Sequence, residues 1–279
     1  MCELMAMSFE SPISADFSLR EFAARGEENP DGWGLGWYPD RSLAVIKEPL
    51  RWGASRIAGF LEAHPTLLSR IHIAHVRHKT TGGEPTHADT HPFAREQGGR
   101  DYCFAHNGTL DGPAWDLPLG HHRPMGGTDS ERFFCHLLRE IEAGGGTLEA
   151  EDDWRRLHRT LASANRLGKL NCLLSDGDHL FVYHDVNGWK GLNFRKVRVG
   201  DEGQRHFGDE TLSVDLGADA VNHGFVVATS PLSRSGWHPF RLGELIVLGR
   251  GEILHSSHRE RHAAEFAPTR PVPAAGRVA

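Results

Sequence analysis

Residues 1–9 read Met1-Cys2-Glu3-Leu4-Met5-Ala6-Met7-Ser8-Phe9, a thiol followed at once by a run apolar enough for a first strand over residues 3–9. Removal of Met1 by an aminopeptidase puts a thiol and a free α-amine on one residue. An α-amine titrates near pH ~8, so at neutral pH a useful fraction accepts a proton. A nucleophile activated by its own terminal amine is an established catalytic device. A frayed terminus presents the same dipeptide, so the rest of the chain has to supply a matching site.

With 279 residues, 39% hydrophobic and 24% charged, the chain buries a substantial core and suits one large domain or two small ones. The net charge of −6 leaves no basic footprint for nucleic acid or an anionic membrane. No apolar run approaches the roughly 20 residues of a membrane span, and residues 1–12 lack the basic leader and apolar core of a secretory signal. Cysteines at 2, 103, 135 and 172 have neither metal nor redox spacing. They read as reduced thiols of a cytoplasmic protein, the last three in the core.

Along the chain, Ser18 and Glu21 have capping-box spacing and predict a helix ending near Gly26. Asp31-Gly32-Trp33-Gly34-Leu35-Gly36-Trp37-Tyr38 is a turn entering a glycine-punctuated strand. A dinucleotide fingerprint needs strand before and helix after its glycines; here the order is loop then strand. These glycines instead permit close approach of a neighbour. Strand continues at residues 43–47, a short helix follows at 55–63, and residues 70–78 alternate as a strand. His72 and His78 fall on one side of that strand and His75 with Arg77 on the other, which scatters any metal set, and no metal is expected. Arg77, before a loop holding Lys79-Thr80-Thr81-Gly82-Gly83, reads either as a solvated strand-end charge or as a bidentate clamp for a carboxylate.

Residues 101–105 form a strand running into His106-Asn107-Gly108. Asn-Gly is a turn signal; it also offers a side-chain amide and a backbone N–H that suit an oxyanion. Gly127-Thr128-Asp129-Ser130-Glu131 opens a helix with capping-box spacing. Asp129 in its first turn is either favoured there by the helix dipole or an anchor for an ammonium. A second helix spans 151–167 with Gly168 as its cap, and a hairpin turns at Asp176-Gly177 between 170–175 and 179–184. Late strands lie at 224–229 and 244–248, residues 186–220 carry little signal, and from 256 the chain is charged and then Pro/Ala-rich, which reads as a flexible tail. Many strands with few helices in no regular βα order place the fold in the α+β class.

Together these groups describe attack on the side-chain amide of an α-amino acid: Cys2 as nucleophile and base, Arg77 for a carboxylate, Asp129 for an ammonium, Asn107 and Gly108 for the oxyanion. The pieces Met1-Cys2-Glu3-Leu4, Arg25-Gly26, Asp31-Gly32-Trp33-Gly34, Ala74-His75-Val76-Arg77, Thr90-His91-Pro92-Phe93, Ala105-His106-Asn107-Gly108 and Thr128-Asp129-Ser130-Glu131 occur in that order. In this the chain resembles the class II glutamine amidotransferases, whose mature chain begins with a catalytic cysteine. Leu173-Leu174-Ser175-Asp176-Gly177 and Val227-Ala228-Thr229-Ser230-Pro231-Leu232 resemble the compact, stand-alone branch of that family.

The resemblance implies a four-layer αββα sandwich of the N-terminal-nucleophile hydrolase type over residues 1–255, with 256–279 as tail. It implies Cys2 as nucleophile, its α-amine as base, Asn107 and Gly108 as oxyanion hole, Arg77 and Asp129 as binders of the substrate α-carboxylate and α-amine, and Thr80 as a further substrate contact. His91 and Arg25 become supporting residues. His78 stands where some relatives have a lid tryptophan. The implied substrate is glutamine or another γ-glutamyl compound, with no cofactor. Ammonia-accepting synthetase or further copies of the chain are the partners to consider. A stand-alone γ-glutamyl hydrolase, of the kind that acts in ergothioneine synthesis or on glutathione, and a catalytically silent scaffold are the alternatives.

Overall fold

The computed structural model describes residues 2–18, 31–63, 67–77, 85–199, 206–208, 213–217, 222–232 and 235–258. Two antiparallel sheets dominate. The first contains β1 (Glu3–Ser18), β2 (Trp33–Trp37), β3 (Ala44–Glu48) and β4 (Leu68–Val76). The second opens with β5 (Phe93–Gln97), β6 (Arg100–Leu110), β7 (Gly168–Ser175) and β8 (Leu180–Tyr183). The chain returns to the first sheet with β9 (Asn193–Val199), β10 (His206–Gly208), β11 (Ser213–Gly217), β12 (Asn222–Ala228) and β13 (His238–Pro239), and to the second with β14 (Leu245–Gly249) and β15 (Glu252–Ser256). Strand order is β13-β9-β12-β1-β4-β2-β3 in one sheet, with β11 paired to β1 and β10 to β11, and β15-β14-β8-β7-β6-β5 in the other.

Strand alternation sorts the side chains into layers. In β1, Leu4 and Ala6 face the second sheet. Met5, Met7 and Phe9 face outward and pack with Ala58 and Leu61 of helix α1 (Arg56–Ala63). In β6, Cys103 and Ala105 face the first sheet. Tyr102 and Phe104 face outward, onto Phe133, Phe134, Leu137 and Leu138 of α2 (Asp129–Ala143) and Trp154 and Leu157 of α3 (Glu151–Ala164). Helix, sheet, sheet, helix: the αββα sandwich expected from the sequence is the observed fold.

Local expectations fared unevenly. The first strand does not stop at residue 9. It passes an irregularity between Ser8 and Ile13 and continues to Ser18, which pairs with Ser213 of β11. Ser18 is therefore a strand residue rather than a helix cap, because pairing with a distant strand overrides its local capping pattern; residues 19–30, the remainder of that expected helix, lie outside the described residues. Helix α3 ends at Ala164 and a 3₁₀ turn carries the chain to Gly168, whose φ of 152° closes it. The expected 256–279 tail falls outside the described residues from 259 onward. Among the described residues no helix is long and apolar enough to cross a membrane.

The glycines of β2 bring the sheets together. A Cβ on Gly34 would lie 2.1 Å from the His91 carbonyl oxygen, and one on Gly36 would lie 2.8 Å from the Cys103 sulfur. Gly34→Ala should lower the unfolding free energy by at least about 2 kcal/mol in a urea titration, since backbone yields poorly to overpacking. Gly53→Ala, where a Cβ meets nothing within 4 Å, should stay within about 0.5 kcal/mol. Equal midpoints for the two variants would refute the close approach.

Candidate active site

Cys2, half-buried, immediately precedes β1. Leu4 pairs with His75 and Glu3 with Val76, so continuing the register one step sets Cys2 beside Arg77. Across the gap, the Asn107 side-chain Nδ2 donates a hydrogen bond of 2.7 Å to the Cys2 carbonyl oxygen. Alternation makes this meeting possible. Cys2 shares a face with Leu4 and Ala6, Arg77 with Ile71 and Ile73, and Asn107 with Cys103 and Ala105, all turned toward the space between the sheets.

Arg77 is only 6% exposed, and its backbone N–H is held by the Gly32 carbonyl at 2.8 Å. Its Nη1 is buried and has no hydrogen-bond partner among the described residues. An unsatisfied buried guanidinium nitrogen is costly unless a ligand completes it. Asn107 is 3% exposed. Its amide carries two N–H donors, so one can hold Cys2 while the other addresses a reacting oxygen. Gly108 tolerates no side chain: a Cβ there would meet the Lys169 carbonyl oxygen at 2.0 Å and the His106 ring at 2.5 Å.

His106 braces this strand from the helix side. Its Nε2 donates to the Lys169 carbonyl at 3.0 Å, which leaves Nδ1 to accept from the Ser130 hydroxyl at 2.9 Å. Burial lowers its pKa, opposed by the nearby Asp129 carboxylate. Asp129 begins α2, and its Oδ2 accepts the Leu110 N–H at 2.7 Å, which ties the carboxylate to the end of β6 just past Asn107 and Gly108. Thr128 caps the helix, accepting the Glu131 N–H at 3.2 Å. Only half of the expected capping box forms, because the Glu131 carboxylate turns to the N–H groups of Met125 and Gly126 and to Arg95.

One step deeper than Arg77, the His75 ring lies 4.3 Å from the His91 ring, which in turn sits 4.6 Å from Phe93. Burial, reinforced by Arg77, drives the His75 pKa down to about 3. His91 is likewise pushed well below its ordinary value, by burial and then by His75. Arg25, His78 and Thr80 lie outside the described residues.

Two residues that sequence reasoning missed also shape the site. Thr229 Oγ1 accepts the Leu4 N–H at 2.8 Å, and its own N–H donates to the Leu4 carbonyl at 3.0 Å, fixing the start of β1 from the β12 side. Asn171, opposite Asn107 in the β6–β7 ladder, donates from Nδ2 to the Trp189 carbonyl at 2.5 Å. A polar residue at an inward position of an apolar strand was the available signal. Among the described residues, His121, His122 and Glu142 bring potential ligand atoms within 4.8 Å of one another; none of them belongs to the Cys2 cluster.

A sandwich of two sheets between helical layers, with a central strand that starts at a thiol, is the architecture of the N-terminal-nucleophile hydrolases. Residues 1–271 match the family described as "Glutamine amidotransferases class-II", and the chain belongs to that family. It is 38% identical over 93% of its length to an uncharacterized protein of Methanocaldococcus jannaschii, 72% of which is covered. It is 31% identical to the Escherichia coli protein YafJ, which carries a provisional glutamine amidotransferase name, over 88% of this chain and 100% of that one. A crystal structure of a predicted glutamine amidotransferase from Pseudomonas aeruginosa superposes with a TM-score of 0.67 at 28% identity, covering 91% of this chain and 100% of that one.

The buried histidines make stability pH-dependent. His72 is lowered to about 4 by burial and His75 to about 3, with His91 moved the same way, whereas an unfolded histidine takes its proton near pH ~6.5. The unfolded chain therefore binds more protons below that value. Stability is complete above it and falls as pH drops toward the folded values. Chemical denaturation at pH 5.5 against pH 7.5 should show a loss of roughly 1 kcal/mol for each of the three. No loss over that interval would mean the rings accept protons in the folded protein.

Proposed function

We propose that the protein hydrolyses the γ-amide of glutamine or a related γ-glutamyl compound through a Cys2 thioester. The observation that carries this reading is the buried Arg77 guanidinium with its open Nη1, at the same end of the inter-sheet space as the Cys2–Asn107 contact. A carboxylate is the ligand that completes a buried guanidinium, and a thiol beside an amide donor is the arrangement for acyl transfer. The family and the similarity to YafJ support it.

In this reading Met1 is removed, and the Cys2 α-amine takes the thiol proton as the sulfur attacks the γ-carbonyl carbon. The second Nδ2 proton of Asn107 and the Gly108 N–H stabilise the oxyanion. Arg77 holds the substrate α-carboxylate and Asp129 its α-ammonium, with Thr80 as a further contact and Arg25 and His91 in support. As the C–N bond breaks, the Cys2 α-ammonium returns its proton to the leaving nitrogen. Water, deprotonated by the same amine, then hydrolyses the thioester. Thiol, amine and water supply every group the reaction needs, so no cofactor is called for. The catalytic unit is residues 1–255, and the setting is cytoplasmic.

Two measurements test this. Intact mass before and after a diazo-ketone glutamine analogue should show a protein lacking Met1 with one adduct on Cys2. A protein that retains Met1 or refuses the label would bring the silent-scaffold reading forward. Asn107→Ala should lower kcat by at least ~10²-fold, since it removes an oxyanion donor together with the Cys2 tether; turnover within threefold of wild type would end its assigned role.

A further inference from the structure

A surface cleft of ≈ 910 Å³ opens at the end of the β6–β7 ladder, lined among others by Thr109, Asp111, Arg166, Lys169, Trp189 and Lys190. That volume is in the range of small-molecule sites. Its position follows from the β6–β7 ladder, where Asn107 pairs with Asn171 and Thr109 with Lys169. Two residues along a strand keep the same face and advance about 7 Å. The Thr109–Lys169 pair is thus the next pair outward on the face that carries Asn107. Trp189 is moored to this face by the bond from Asn171 to its carbonyl.

The cleft lies on a definite side of the reacting centre. In the first sheet β1 is flanked by β4 and β12, and in the second β6 is flanked by β5 and β7. Arg77 follows β4, and the segment before β5 abuts β2 through His91 and Gly34. The proposed α-carboxylate site is therefore on the β4–β5 side. The cleft is on the β7 side, across the Cys2–Asn107 pair. A γ-glutamyl amide whose carboxylate reaches Arg77 and whose carbonyl lies at Cys2 directs its amide nitrogen away from Arg77, toward the cleft.

The lining is built for an anion. Lys169 places its ammonium 3.9 Å from the Trp189 ring centre, and Arg166 and Lys190 add two more cations. Of the two carboxylates in the lining, Asp185 is 0% exposed. It is consumed by the N–H groups of Leu170, Asn187 and Trp189 and by the Asn165 amide, at 2.7–3.1 Å. That leaves Asp111 as the one lining carboxylate exposed to solvent. Ammonia, the product from glutamine, needs neither this volume nor this charge.

We propose that this cleft is the leaving-group subsite, and that the preferred substrates are γ-glutamyl conjugates of an amine bearing a carboxylate. The proposal rests on γ-glutamyl hydrolysis at Cys2. The thioester C–S bond forms as the C–N bond breaks, the proton taken from the thiol passes to the leaving nitrogen, and the neutral amine departs into the cleft with its carboxylate against the cations.

The test uses the full-length protein and three substrates: L-glutamine, γ-glutamyl-4-nitroanilide, and its 3-carboxy derivative, which adds one carboxylate to the same leaving group. The wild type should favour the carboxylated anilide in kcat/KM by about tenfold, the scale of one charge-assisted contact. In a Lys169→Met/Lys190→Met variant the ratio should fall toward one. Should that variant fail to fold, the wild-type ratio itself should shrink between 0.05 M and 0.5 M salt, because exposed charges are screened. Cleavage of none of the three would overturn the Cys2 reading itself. Cleavage of glutamine with a carboxylated-to-neutral ratio of one would overturn the subsite alone. A ratio that survives both the variant and the salt would remove its assignment to this cleft.

Discussion

A hydrogen bond from the Asn107 amide to the Cys2 carbonyl, at 2.7 Å, spans the two sheets at the point where the chemistry is proposed. It needs β1 and β6 at one separation and one register, and much of the remaining structure maintains those. Thr229 pins the backbone of Leu4 from one side, and the β4 register holds it from the other. Behind Asn107, His106 links Ser130 of α2 to the Lys169 carbonyl of β7. The outer helix is thereby coupled to β6 and β7 through a buried ring rather than through packing alone.

The inter-sheet space is not uniformly apolar. Toward its centre it is filled by residues such as Leu4, Ile73, Leu173 and Phe225. Toward the Cys2 end it holds Arg77, His75, His91 and Asn107, all nearly inaccessible to solvent. Buried polar groups cost stability when unpaired, and among the described residues neither ring nitrogen of His75 or of His91 makes a well-formed hydrogen bond. Both rings stay neutral because burial disfavours their charged forms. The Arg77 Nη1, unpartnered among the described residues, lies in the same cluster.

Much of the fold was legible in the sequence. Alternation at residues 70–78 marked β4, the aromatic and small residues at 101–105 marked the first half of β6, which runs on through Asn107-Gly108 instead of turning there, and Leu170 to Ser175 marked most of β7. The glycines of Asp31–Tyr38 read as places of close approach, and Gly36 lies against Cys103 of the second sheet while Gly34 lies against His91 and Pro92, just before that sheet's first strand. Harder to read were the extension of β1 to Ser18 and the strands β9, β10 and β11, because each is held by a partner far away in sequence. A local pattern cannot announce a partner of that kind. Glu131 illustrates the same limit: its spacing promised a capping box, and tertiary neighbours took its carboxylate instead.

The sequence by itself determined which chemical groups are available and which strand face each occupies, because side-chain direction along a strand has a period of two residues. That is enough to put His75 and Arg77 on one face of their strand, but not to say which face is inward, since both faces of β1 and of β6 are buried. Only the tertiary structure decided that the faces of Cys2, Arg77 and Asn107 meet, that Arg77 arrives there with Nη1 unpartnered among the described residues, and that a cleft with three cations in its lining opens at the end of the β6–β7 ladder. These are properties of sheet order and register, set by pairings across as many as 225 residues of chain, and no periodicity within a strand encodes them.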